Sequence, residues 1–162
     1  TITLESFSKT YAMTGWRLGF VAALTDVADK LTQLIANSMS CVPPFIQLGG
    51  VRAILDSQAA TESMMKDYRR RRDLFVGGLN DIPGVSCLSP RGAFYAFPNV
   101  SQLPLSADEF ADYLLEEVGV AALPGSAFGT RAEGHLRMCF AASAADLEKA
   151  LERIRAAVGM LS

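Results

Sequence analysis

The chain has 162 residues, half of them hydrophobic and one fifth charged. At this length about 70% of the unfolded surface can be buried, enough for a real core in one domain or one and a part. The formal net charge is −2, which offers no electrostatic drive toward nucleic acid or an acidic membrane. No apolar run approaches the ~20 residues of a membrane helix. Three cysteines, Cys41, Cys87 and Cys139, form no CxxC pair, and the one histidine, His135, leaves no His-rich metal site. That sparse cysteine set predicts no disulfide framework and a reducing, cytoplasmic setting.

In chain order, Thr1, Thr3 and Glu5 alternate with Ile2, Leu4 and Phe7 as a strand would. The abrupt start suggests a segment of a longer chain. Leu18 to Leu24 is an apolar run fit for a buried strand. Thr25 reads as an N-cap with Asp26 in the first turn, and Val27, Leu31, Leu34 and Ile35 form a helical stripe. Pro43 and Pro44 break the chain. Phe45 to Leu55 reads as a helix that is apolar nearly all round and therefore buried. Ala59 to Leu79 predicts a long helix carrying Arg69–Arg72 as a solvated face beside Asp67 and Asp73, stopped near Pro83-Gly84.

The remainder predicts a compact α/β unit. Val85–Leu88 and Ala93–Phe97 read as strands joined at Pro90-Arg91-Gly92. Ser106-x-x-Glu109 is a capping box opening a helix through Phe110, Leu114 and Val118. Val120–Leu123 and His135–Phe140 read as strands. Ser143-x-x-Asp146 opens a last helix with Leu147, Leu151, Ile154 and Val158 on one face. The expected seam lies near Asp56–Ala60, and the expected folded core is Ala59–Val158.

The chemistry-bearing segment is Ser6-Phe-Ser-Lys-Thr-Tyr-Ala-Met-Thr-Gly-Trp-Arg-Leu-Gly19. It lies between two strand-like runs, so it can fold back and gather Ser6, Ser8 and Arg17 near Lys9. Two hydroxyls and a bidentate guanidinium suit a phosphate dianion. A lysine beside a bound phosphate suits a Schiff base to a phosphorylated aldehyde. The plainer alternative is a turn with a solvated lysine and an arginine paired to a carboxylate. His135 reads as a packed or surface residue, and Gly125-Ser126 with Gly129 as a turn-rich loop.

The whole string resembles the lysine signature of class I aminotransferases, the fold-type I enzymes that use pyridoxal 5′-phosphate. Ser6, Ser8, Lys9, Ala12, Met13, Gly15, Arg17, Leu18 and Gly19 meet its constrained positions. The resemblance runs the length of the chain: Tyr68-Arg-Arg-Arg-Arg-Asp-Leu, Gly92-Ala-Phe-Tyr, Leu123-Pro-Gly-Ser-Ala-Phe-Gly129 and His135-Leu-Arg-Met-Cys-Phe-Ala141 are similar to landmarks of the aspartate aminotransferase branch. It implies an α/β fold with a remnant of the large cofactor domain over residues 1–57. The interdomain helix and small carboxy-terminal α/β domain follow over residues 58–162. It implies that Lys9 bonds to the cofactor and moves the substrate Cα proton, that Ser6, Ser8 and Arg17 hold the cofactor phosphate, and that Arg137 grips the substrate α-carboxylate. Phe94 stands where the family has an aromatic near the substrate, with a core role the alternative. Without the family, Arg137 reads as an ion pair at a strand end.

The resemblance further implies amino-acid and 2-oxo-acid substrates, a homodimer and a cytoplasmic location. Asn37–Pro44 resembles the loop lent to the partner's site, with Asn37 about where one aspartate-specific branch has an arginine. The parts that grip the cofactor ring precede the lysine in the family. The isolated chain is therefore expected to be inactive, with the strands before Thr25 exposing edges and apolar faces. The alternatives are a lyase or synthase on the same scaffold, a cofactor-sensing module of a transcription regulator, and a truncated folding or dimerisation unit.

Overall fold

The computed structural model describes residues 1–161. It divides into two compact units, Thr1–Met64 and the residues from Met65 onward.

In the first unit, β1 (Thr3–Ser6) and β2 (Gly19–Ala22) form an antiparallel pair with Thr3 opposite Ala22 and Ser6 opposite Gly19. The link between them holds one helical turn, α1 (Phe7–Thr10), and a 3₁₀ turn, Thr14–Trp16. Two helices follow, α2 (Thr25–Ser38) and α3 (Pro44–Leu55), the latter with proline at its first position, where no N–H is needed. Two of the sequence expectations change here, the cap at Thr25 and the burial of α3. Thr25 lies inside α2: the capping residue is Leu24, whose carbonyl accepts from the Val27 and Ala28 amides, and no side chain caps it. The ribbon is exposed along both strands, as expected of the strands before Thr25, because two strands alone leave both faces open. α3 is not buried either: Phe45, Leu48 and Leu55 are each at least 65% exposed, and only Gly50 is buried.

The long helix α4 (Ala59–Asn80) begins in the first unit and ends in the second. Arg69–Arg72 behave as a mostly solvated face: Arg70 and Arg71 pair with Asp67, and Arg72 with Asp73. Arg71 also donates to the Ala142 carbonyl.

The second unit is built on a three-stranded antiparallel sheet, ordered β3 (Tyr95–Ala96), β5 (Leu136–Cys139), β4 (Leu123–Pro124). Its other helices are α5 (Ala107–Val118) and α6 (Ala144–Leu161). The strands are shorter than the sequence suggests. Val85–Leu88 contributes only a single bridge, Ser86 to Asn99. The cause is Asn80: its amide oxygen accepts from the Cys87 N–H at 2.7 Å and its NH2 donates to the Cys87 carbonyl at 3.0 Å. A side chain thus takes the backbone groups a ladder would use. Ala93 sits at φ 59, outside strand geometry, so β3 starts late.

Both capping signals form as expected. Ser106 accepts from the Glu109 amide, the Glu109 carboxylate accepts from the Ser106 N–H, and Ser143 accepts from the Asp146 amide. The core runs from Phe75 to Val158 through Leu79, Phe110, Leu114, Leu136, Met138, Phe140 and Leu151. Among the described residues no helix is long and apolar enough to cross a membrane. Burial pushes the Cys87 thiol up from its ordinary value.

Leu114 is fully buried, so Leu114→Ala is expected to cost about 2–5 kcal/mol in urea denaturation. The hydrogen bonds from Ser106 hold the Glu109 carboxyl below its ordinary 4.5. The capping box therefore adds stability above that value and loses it as pH falls through the folded-state value. Glu109→Gln is expected to flatten this part of the stability–pH profile, below about pH 4.5.

Candidate functional site

The lysine segment is shaped by its ends. Ser6 pairs with Gly19, and the Phe7 amide donates to the Leu18 carbonyl at 3.1 Å. These bonds set the backbone of Ser6–Phe7 across from Leu18–Gly19, so Ser6 and Arg17 flank one neck. The close approach requires a glycine, since a Cβ on Gly19 would stand 2.7 Å from the Glu5 carbonyl oxygen. Phe7 and Met13 are the buried anchors of the segment. Phe7 packs against Tyr11 and Phe20, and a Cβ on Gly50 would meet its ring and the Leu18 side chain.

With Phe7 turned in, Ser8 is half-buried while Ser6, Lys9 and Arg17 are exposed. Ser6 caps α1: its hydroxyl accepts from the Ser8 amide at 3.1 Å. Arg17 sits at φ 53, a left-handed conformation uncommon outside glycine, and donates to the Thr14 carbonyl at 3.0 Å. Among the described residues no carboxylate pairs with it, unlike the pairing of the plainer reading. The neck therefore presents hydroxyls and an unneutralised guanidinium, a donor set that fits a phosphate.

In the second unit, β5 alternates. Leu136 and Met138 are buried in the core, and Arg137 and Cys139 point to the other face. Tyr95 is the strand partner of Cys139 and so stands diagonal to Arg137 on that same face. The Arg137 guanidinium lies over the Tyr95 ring at 4.6 Å and over the Phe128 ring at 4.4 Å. Phe128 ends the 3₁₀ turn Gly125–Phe128 that follows β4. That turn passes so close to the backbone that a Cβ on Gly125 would fall 1.9 Å from the Ala132 carbonyl oxygen. The Gly125 amide donates to the His135 carbonyl, and the Ser126 hydroxyl donates to Asp108.

Arg137 pairs with no carboxylate among the described residues, contrary to the ion pair its strand position suggests. Arg71, Arg72 and Arg137 are the half-buried arginines of the described chain, and the first two are neutralised by Asp67 and Asp73. A half-buried cation left without an anion is held at a cost unless something replaces the charge partner. Here aromatic rings do so in part.

Phe94 packs on Tyr68 and on Tyr95 and borders the core, as its core alternative allows. His135 stacks on Phe97 and borders a hollow with Phe128 and Arg131. Asn37 lies in α2, its side chain donating to the Gln33 carbonyl. Tyr95 and Phe128 were not singled out from sequence, although both lie in the segments Gly92–Tyr95 and Leu123–Gly129. Only the fold shows that these segments meet over Arg137.

A family profile described as aminotransferase class I and II matches residues 1–154, and the chain belongs to that family. It is 42% identical to an aspartate aminotransferase of Pyrococcus horikoshii over 98% of its own length and 41% of the relative's. A crystal structure of the aspartate aminotransferase from Rhizobium meliloti superimposes with TM-score 0.94 at 37% identity, over all of this chain and 42% of that one. An aromatic aminotransferase structure from Pyrococcus horikoshii gives the same score at 40% identity, over 99% and 43%. The fold is thus that of part of a fold-type I pyridoxal-phosphate aminotransferase. The chain spans about two fifths of the length of the curated relatives it matches.

Gly19→Ala is expected to open the neck of the lysine segment. Trp16, the single tryptophan, lies in that segment against Gly49 of α3. Its fluorescence should shift to the red in the variant, with faster hydrogen exchange at the Phe7 amide.

Proposed function

We propose that these residues belong to a pyridoxal-phosphate-dependent aminotransferase that moves an amino group between an amino acid and a 2-oxo acid. Residues 1–57 would be part of its cofactor domain and residues 58–162 its small domain, in a homodimeric cytoplasmic enzyme. The observation that carries the reading is Arg137, a half-buried guanidinium with no carboxylate of its own among the described residues.

When bound, pyridoxal 5′-phosphate supplies an aldehyde carbon and an electron-accepting ring. Lys9 would hold it through Nζ and, once displaced, move a proton at the substrate Cα. Ser6 and Arg17 would bind the phosphate, with Ser8 a weaker third donor. Arg137 would take both oxygens of the substrate α-carboxylate in its planar fork, which fixes the direction of the Cα–H bond. A lysine there would supply charge without that orientation. Phe94 would lie near the substrate.

The 162-residue chain alone is expected to show no turnover, because the family's acidic partner of the ring nitrogen precedes the lysine. In the whole protein, treatment with pyridoxal 5′-phosphate and borohydride followed by peptide mapping is expected to label Lys9. Lys9→Ala should abolish transfer. A label on Lys30, Lys66 or Lys149 with Lys9 unmodified would overturn the proposal.

A further inference from the structure

We infer that Tyr95 and Phe128 are positioning residues for Arg137, holding its guanidinium with ring faces so that its N–H donors stay open to a substrate carboxylate. This rests on the aminotransferase reading above. An aspartate or glutamate in either place would neutralise the cation and occupy the donors the substrate needs. A ring face attracts the cation through its quadrupole and offers no carboxylate oxygen to compete. Both rings lie within 4.6 Å of the guanidinium carbon.

Each ring is itself backed by others. Tyr95 packs on Phe94 at 4.7 Å between ring centres, and Phe94 stacks on Tyr68 at 6.1 Å. Phe128 meets Phe97 edge-on at 6.3 Å, and Phe97 stacks on His135 at 5.4 Å. Two aromatic rows from separate segments therefore converge on one cation. Backbone holds them as well: β3 pairs with β5, and the Gly125 amide donates to the carbonyl of His135, the residue just before β5. Rings fixed in this way limit the rotamers open to the arginine, and a pre-oriented fork loses less freedom when the carboxylate arrives.

The test uses the whole protein with Phe128→Leu and Tyr95→Leu. Each is expected to raise KM for the amino acid and for the 2-oxo acid roughly three- to thirtyfold, with kcat within about twofold. Phe128→Tyr and Tyr95→Phe, which keep the ring, are expected to restore KM. Phe128→Met fills similar space without a ring and is expected to lose affinity as Phe128→Leu does, even if the Leu variant melts early. A readout independent of turnover is titration with 2-oxoglutarate followed at the Arg137 Nε–H resonance, assigned by its loss in Arg137→Lys. The dissociation constant should rise by the same factor in the Leu and Met variants. Unchanged constants in folded variants overturn the inference and leave the transfer reading standing. No shift and no amino-group transfer in the unsubstituted protein would remove that reading and the inference with it.

Discussion

The alternation of side chains along β5 is the constraint on which the placement of Arg137 depends. Leu136 and Met138 are pinned in the core, and a strand cannot bury them without sending Arg137 to the opposite face. Sliding the register by one residue would put a cation into the core in place of these two side chains. The cost of that burial fixes the register more firmly than the few hydrogen bonds of so short a strand. The arginine's position is thus a by-product of packing two apolar neighbours. Its environment is then completed from elsewhere: a diagonal tyrosine from β3 and a phenylalanine from the turn after β4.

The lysine segment follows the same logic with fewer parts. Two anchors, Phe7 and Met13, turn inward and leave the polar residues between and beside them facing outward. Glycine at position 19 lets the returning strand approach within the space a Cβ would need. Left-handed backbone at Ala12 and Arg17 then turns the chain sharply enough to close the loop. Non-glycine residues in that region are held there against local preference. Local strain, buried anchors and a tight neck together keep a polar loop in one shape.

Sequence reading recovered the helices of the second unit because their signals are local. A serine three residues before a glutamate, or an aspartate, defines a helix start whatever surrounds it, and both such starts form. The strands were less legible because pairing depends on distant groups. Asn80 removes Cys87 from any ladder, and nothing in Val85–Leu88 records that. Burial was the least legible property. α3 is apolar nearly all round, yet hydrophobicity states only what a surface would favour, not whether a partner surface is present. Arg137 could be named from its segment, but the aromatic rings over it could not, since Tyr95 and Phe128 meet it only through the sheet and a glycine turn.

The two units also differ in how far they satisfy their own apolar surface. The second closes a continuous core from Phe75 to Val158. In the first, Phe20, Leu34, Phe45, Leu48 and Leu55 stay at least 49% exposed, while the chain spans about two fifths of its relatives' length. Stability and site geometry are therefore expected to be uncoupled along this chain. Arg137 sits on a sheet that its own unit packs, and so its setting is pre-formed by local folding. The lysine sits in α1, in the link of a ribbon whose strands gain little from burial, so its placement rests on the Phe7 anchor, the Gly19 neck and the packing of α3 against Leu18 and Trp16. Loss of those few contacts would disorder the lysine segment long before the arginine moved.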